Sequence, residues 1–156
     1  MATLSEEVDL LRRIPLFAAI DPAKLKLLAF ASDRMIYHDG QAVFRQGEVG
    51  DAAYVVIKGT ADIVVETDDG EMVVANAKED AVVGEIAILC DVPRTATVRA
   101  SGELVALKIK KEHFLGLIID FPKLGIQVMR ELAQRLSRTT SELTDARREI
   151  EHLKTA

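Results

Sequence analysis

Several residue types are scarce in this chain of 156 residues, and each scarcity excludes a class of protein. A single cysteine, Cys90, excludes a disulfide framework and any thiolate zinc site or iron–sulfur cluster built within one chain. The 20 basic residues are outnumbered by 25 acidic ones, and the net charge of −5 argues against a general nucleic-acid surface. No apolar run approaches the ~20 residues that cross a bilayer, and no leader peptide opens the sequence, so we expect a cytoplasmic protein.

Side chains for catalysis are also sparse. The three histidines, His38, His113 and His152, stand singly, without the His-x-His motif of barrel metalloenzymes. A Ser/His/Asp grouping has no support in the sequence either. We therefore expect neither a metal centre nor an enzyme.

The first of three zones, Leu4 to Ala31, has the pattern of helices. Asp21 is a favourable N-cap, and Pro22 suits the first helical position after it. Four apolar residues are expected to form the buried side of this second helix: Leu25, Leu27, Leu28 and Phe30.

The second zone, Arg34 to Ile109, consists of short apolar runs separated by turn residues such as Asp68-Asp69-Gly70 and Ser101-Gly102. Three glycines, Gly47, Gly50 and Gly59, fall where the chain is expected to reverse. Several short strands at this spacing predict an antiparallel sandwich or barrel.

The third zone begins at Lys111 and is helical, with one interruption at Asp120-Phe121-Pro122. Proline disfavours helix in the residue before it but fits the first turn of a new helix, so we expect a hinge here. The sequence therefore predicts a domain over residues 1–121 and a C-terminal lid or dimerisation helix over residues 122–156.

The segment from Gly84 to Ala100 carries the strongest functional signal. Gly84 allows a turn that a Cβ would hinder, and Glu85 to Leu89 fit one short helical turn whose first amides favour an anion. Arg94 adds a planar fork that can bind two oxygens of one phosphate, and Glu85 can accept a hydrogen bond from a sugar hydroxyl. The alternative is that Glu85 and Arg94 form an ion pair inside a β-barrel.

The same segment argues against a polyphosphate ligand. A P-loop needs Gly-x-x-x-x-Gly-Lys-Ser/Thr, and the sequence has no such run. One arginine and a few amides instead suit a phosphodiester that carries a single negative charge.

This segment resembles the phosphate-binding cassette of cyclic nucleotide-binding domains, and residues 42–59 resemble the glycine-punctuated strands of that family. The resemblance implies an α+β fold in which an antiparallel, jelly-roll-like β-roll is flanked by N-terminal helices and a long C-terminal helix. It also implies that Glu85 binds the ribose 2′-hydroxyl and that Arg94 pairs with the cyclic phosphate. The rest of the cradle then falls on Gly84, Ile86, Ala87, Thr95 and Ala96.

A second signal lies in the C-terminal helix, where apolar residues recur at alternating spacings of three and four. This spacing predicts the seam of a coiled coil, and Glu142 and Glu149 then face Arg147 and Lys154 across a parallel homodimer. The alternative is a single amphipathic helix packed on its own sheet. The seam positions are Met129, Leu132, Leu136, Thr139, Leu143, Ala146, Ile150 and Leu153.

The identity of the base is less clear than that of the phosphate. Residues 135–142 resemble the helix that contacts adenine in catabolite activator proteins, which implies contacts from Thr139 of one chain and Thr140 of the other. Thr139 could instead set coiled-coil register, and Arg138 could stack on the base. Thr95 resembles a threonine of cGMP-selective kinases.

We expect a cyclic nucleotide sensor, with cAMP favoured over cGMP and an effector protein still unidentified. A fragment of a catabolite activator-type regulator, or of a nucleotide-regulated channel or kinase, is an alternative. The sequence has no helix-turn-helix segment after the long helix, so direct DNA binding is not expected.

Overall fold

The computed structural model describes residues 4–155, which form five α-helices, one 3₁₀ turn and six β-strands. The N-terminal elements are α1 Leu4–Arg13, the 3₁₀ turn Pro15–Phe17 and α2 Pro22–Ala31. The strands are β1 Asp33–Tyr37, β2 Ala42–Phe44, β3 Ala52–Thr67, β4 Gly70–Ala77, β5 Val82–Val83 and β6 Thr97–Lys110. The remaining helices are α3 Glu85–Cys90, α4 Lys111–Asp120 and α5 Pro122–Thr155.

All strand pairs are antiparallel. The strand order is β1-β6-β3-β4, with β2 also paired to β6 and β5 paired to β3. The hairpin between β3 and β4 closes at Thr67 and Gly70, so the turn predicted at Asp68-Asp69-Gly70 is confirmed. The predicted α+β class, with an antiparallel sheet between N-terminal helices and a long C-terminal helix, is confirmed as well.

The central strand β3 faces two separate cores, because successive side chains of a strand point to opposite faces. Ala53 and Val55 pack against the helices, while Tyr54 and Val56 pack inside the sheet. β3 therefore joins the helical layer to the interior of the sheet. The helical core includes Leu11, Phe17, Leu25, Phe114, Leu124 and Val128.

Two glycines that the sequence places at turns lie instead within long strands. β3 runs through Gly59 and β6 runs through Gly102, with φ of +91° and +76°. Pairing between the two strands continues on both sides, from Val56 opposite Ala106 to Thr60 opposite Ser101, with register shifts between. The predicted chain reversals were wrong because a bulge bends a strand without ending its pairing.

In α2 the predicted cap is confirmed, since the Ala23 amide donates to the Asp21 carboxylate at 2.9 Å. Leu25 and Leu28 are buried as expected. Leu27 and Phe30 were wrongly placed in the core, because Phe30 is 80% exposed and Leu27 is exposed as well. Helical spacing lets only one face of so short a helix pack into the helical core.

The break at Phe121 separates α4 from the 34-residue α5, as the sequence predicts. Leu124 and Val128 bury the first turns of α5 in the helical core, and Leu132 packs at its margin. The later turns are largely exposed. None of the helices within residues 4–155 combines the length and apolar composition needed to span a membrane.

Candidate functional site

A cavity of about 610 Å³ lies between the sheet, helix α3 and the middle of α5. The sheet supplies a mostly apolar wall, and α3 with the loop after it supplies the charged end. Its lining comprises Phe44, Ile63, Met72, Val74, Ala75, Val83, Gly84, Glu85, Ile86, Ala87, Arg94, Thr95, Ala96, Val98, Arg135, Thr139, Glu142 and Leu143.

Arg94 lies at the charged end and is only 3% exposed. Its Nη1 donates to the Gly84 carbonyl oxygen and its Nη2 to that of Ala52, both at 2.7 Å. The Phe44 ring lies 4.0 Å from the guanidinium carbon, a cation–π distance. These contacts fix the guanidinium in one orientation.

The charge of Arg94 is not fully compensated by the protein. Burial lowers its pKa, while Tyr54 and Asp51 act in the opposite direction. Its ion pair with Asp51 spans 4.0 Å, and that carboxylate is largely in solvent. Among buried side-chain nitrogen and oxygen atoms of residues 4–155, Arg94 Nε has no hydrogen-bond partner. A buried cation with an unmet donor is suited to bind an anion that enters the cavity.

Two glycines create the space that Arg94 occupies. Gly84 has φ +85°, and a Cβ there would lie 2.7 Å from Arg94 Nη1. At Gly50 a Cβ would meet the Ala87 Cβ at 2.5 Å, with the Arg94 guanidinium just beyond. The predicted turn at Gly84 is confirmed, whereas Gly50 allows close packing rather than a left-handed turn.

Glu85 is buried and its Oε1 accepts from Arg135 Nη1 at 2.6 Å. The alternative of a Glu85–Arg94 ion pair is therefore wrong, since Glu85 pairs with α5 instead. Arg135 was missed as a site residue from the sequence. The available signal was its position four residues before Thr139, which puts both side chains on one helical face.

The structure brings eight of the ten predicted site residues to the same cavity. Thr139 is one of them, and its Oγ1 donates to the Arg135 carbonyl within α5. Arg138 and Thr140, both described and exposed, lie outside the lining of this cavity in a single chain. The eight are Gly84, Glu85, Ile86, Ala87, Arg94, Thr95, Ala96 and Thr139.

Residues with metal-binding side chains are not clustered in the same way. Within residues 4–155, no three His, Cys, Asp or Glu side chains are grouped closely enough to hold a metal ion.

Comparison with known proteins connects this geometry to a family. Residues 34–120 match the family model described as the cyclic nucleotide-binding domain, and this range includes the sheet, α3 and Arg94. The chain belongs to the cyclic nucleotide-binding domain family. The resemblance seen in the sequence is thereby confirmed.

Two relatives of this cyclic nucleotide-binding domain are described as regulatory proteins. It is 34% identical to a cAMP-dependent protein kinase regulatory subunit of Blastocladiella emersonii over 69% of this chain and 27% of that protein. It is 29% identical to a CRP-like cAMP-activated global transcriptional regulator of Mycobacterium tuberculosis, over 88% of this chain and 62% of the regulator. The chain therefore spans less than two thirds of either relative.

A solved structure supports the same architecture. The catabolite activator protein of Thermus thermophilus superposes with a TM-score of 0.73 at 28% identity, covering 83% of this chain and 61% of that one. The β-roll fold expected for the family is thus the fold of this domain.

Proposed function

We propose that this domain is a non-enzymatic sensor that binds cAMP in the cavity between the β-roll and α5. The observation that carries the proposal is Arg94, a fixed and buried cation whose Nε lacks a partner at the charged end of that cavity. Two cAMP-responsive relatives support the choice of ligand. The free, exposed Cys90 suits the reducing cytoplasm, where we propose that the protein acts.

In the proposed complex, the charged and apolar ends of the cavity hold different parts of the nucleotide. The cyclic phosphate lies against Arg94 and the backbone of residues 84–87, and the ribose 2′-hydroxyl donates to Glu85. The base then extends toward the apolar strands and Thr139 of α5. These roles follow the resemblance, and the cavity's charged and apolar ends support them.

A preference for cGMP is the second candidate, and Thr95 is the observation that favours it. Thr95 lines the same cavity directly beside Arg94, where its hydroxyl can reach a guanine placed over the cassette. Paired titrations with cAMP and cGMP distinguish the two candidates. The Thr95 hydroxyl increases affinity only for a purine whose exocyclic donor lies within hydrogen-bonding distance of it.

The Glu85–Arg135 ion pair connects the nucleotide cavity to α5, so nucleotide binding can affect the position of this helix. A nucleotide that hydrogen-bonds to Glu85 competes with Arg135 for the same carboxylate. Binding therefore favours one arrangement of α5 over another. Ligand can shift such an equilibrium only through different affinities for the two states. We propose that residues 1–121 form the binding domain and that residues 122–156 are the moving lid and dimerisation helix.

We further propose that α5 pairs with a second copy in a parallel homodimer through Met129 to Leu153. Its seam residues past Leu132 are exposed in the single chain, and Leu143 is 53% exposed while also lining the cavity. Exposed apolar side chains repeated at heptad spacing favour burial against a partner helix. In such a dimer Thr140 of the partner subunit is expected to reach the base.

Substitution of Arg94 tests the proposed ligand site. Arg94→Ala is expected to weaken cAMP binding by about 2–5 kcal/mol, because the phosphate stays buried without its cation. Arg94→Lys keeps the charge but removes the planar fork, so it should recover only part of the affinity. Isothermal titration calorimetry measures both.

Arg94 also holds two backbone carbonyls, so folding must be checked alongside binding. Circular dichroism and urea unfolding report whether each variant remains folded, and the exposed Arg45→Ala serves as a matched charge control. Unchanged cAMP affinity in a folded Arg94→Ala protein would contradict the proposed function.

A further inference from the structure

Arg135 stands between two carboxylates but makes a hydrogen bond to one of them. Glu85 on α3 accepts from it at 2.6 Å, and Glu131 lies one helical turn before it on α5. All three side chains line a small cavity beneath the nucleotide site. The other lining residues are apolar and come from the 3₁₀ turn, β5, α4 and α5: Leu16, Val82, Phe114, Val128 and Leu132.

Glu131 is a half-buried carboxylate without an ion pair in the described chain, whereas the Glu85–Arg135 pair is complete. The charged groups that face it are Arg135 from its own helix and Glu85 from α3. Burial raises the pKa of Glu131 above its ordinary value of 4.5, Arg135 opposes that rise, and Glu85 adds to it. Arg135 therefore acts electrostatically on both carboxylates but hydrogen-bonds only to Glu85.

A bound nucleotide adds a negative charge to this arrangement. Among the charged residues that line the nucleotide cavity and the small cavity beneath it, the buried or half-buried ones are Arg94, Arg135, Glu85 and Glu131, and their formal charges sum to zero before binding. The phosphodiester brings this local sum to −1, and an added like charge disfavours the ionised form of a half-buried carboxylate. Glu85 is hydrogen-bonded to Arg135, whereas Glu131 has no ion pair within residues 4–155, so Glu131 is the carboxylate that we expect to respond.

We propose that Glu131 takes up a proton as the nucleotide binds, so that nucleotide affinity rises as the pH falls. This inference rests on the proposed function and adds pH regulation to the same site. At high pH Glu131 is ionised in both free and bound protein, and affinity is lowest there. As the pH falls through the pKa of Glu131 in the complex, binding strengthens. It levels off once the carboxyl is protonated in the free protein too.

Calorimetric titration of the 156-residue chain with cAMP and cGMP tests the inference when it is repeated at several pH values from 7 to 5, each in two buffers of different ionisation enthalpy. The difference in observed enthalpy gives the number of protons taken up on binding. The wild type should take up a fraction of a proton, and its dissociation constant should fall as the pH is lowered from 7 toward 5. For one proton the slope cannot exceed about tenfold per pH unit.

Glu131→Gln keeps the size of the side chain and cannot ionise. It should bind nucleotide at least as tightly as the wild type near pH 7, with proton uptake lost and the pH dependence flattened. Glu79→Gln, at an exposed turn before β5, is the matched control and should keep the wild-type proton uptake.

The outcomes separate the two proposals. Tight nucleotide binding without proton uptake in the wild type overturns the coupling and leaves the sensor function standing. Proton uptake that persists in Glu131→Gln assigns it to another group and also overturns the inference. A wild type that binds neither nucleotide overturns both proposals. The wild-type pH series does not depend on the folding of any variant.

Discussion

Gly84 connects backbone conformation to ligand chemistry at a single residue. Gly84 has a left-handed φ of +85°, and a Cβ at this residue would lie 2.7 Å from Arg94 Nη1. A side chain here would therefore strain the backbone and also contact the guanidinium. Gly84→Ala is expected to cost about 1–2 kcal/mol of unfolding free energy through backbone strain. It should also displace the guanidinium and weaken cAMP binding by at least about tenfold, or about 1.4 kcal/mol.

Gly40→Ala provides the matched control for that substitution. Gly40 has a similar φ of +81°, but nothing lies within 4 Å of its Cβ position. Urea unfolding should show a loss in both variants, larger in Gly84→Ala because its Cβ also contacts the buried guanidinium, while calorimetry should show weaker binding only in Gly84→Ala. Equal nucleotide affinity in the two variants would contradict the role given to the packing of Gly84 against Arg94.

For single residues, the sequence predicts those roles that depend only on local backbone geometry. The positive φ of Gly84 and the N-cap of Asp21 follow from neighbours in the chain. The Glu85–Arg135 pair joins residues 50 positions apart, and no local pattern specifies such a contact. The carbonyl of Ala52 that anchors Arg94, 42 positions away, could not be predicted for the same reason.

Helix α5 combines two environments within one element. Its first turns bury Leu124 and Val128 against the helical core, and its later turns expose the heptad seam. If the seam pairs with a second copy, Ile150→Lys should reduce dimerisation, because it puts a charge at an apolar seam position that does not line the nucleotide cavity. Analytical ultracentrifugation across a concentration series measures the change.

Thr144→Lys adds the same charge to an exposed face beside the seam and should leave the association unchanged. A wild type that sediments as a single chain at every concentration, with and without cAMP, would rule out the homodimer. Equal association of Ile150→Lys and the wild type would place any dimer interface elsewhere.

Among the other elements, the ends that are marked by proline or glycine in the sequence could be predicted. The start of α5 at Pro122 and the hairpin at Gly70 have their causes in adjacent residues. β3 and β6 instead continue through Gly59 and Gly102 because each strand is held by the other across the sheet. A glycine alone does not distinguish a bulge from a chain reversal, so the length of these strands could not be derived from their sequence.

At the scale of the whole molecule, the cavity joins the β-roll to α5, so occupancy should alter the dynamics of the helix. Nucleotide is expected to slow amide hydrogen exchange in residues 132–143, since Arg135, Thr139 and Leu143 line the cavity. Exchange measured by mass spectrometry with and without cAMP checks this.

Arg94→Lys at the same cAMP concentration is the control, and it should show less protection in proportion to its lost occupancy. Protection confined to residues 84–96 in the wild type, with none in α5, would mean that the helix does not respond to the ligand.

If α5 pivots at Phe121 as proposed, its unbroken length makes it a lever arm. Its 34 residues at about 1.5 Å each extend roughly 51 Å. A tilt of only about 6° at the fulcrum would carry the far end through about 5 Å, close to the 5.4 Å pitch of a helix. Rearrangements too small to disturb the sheet could thus be magnified at the tip into a displacement large enough for another macromolecule to detect.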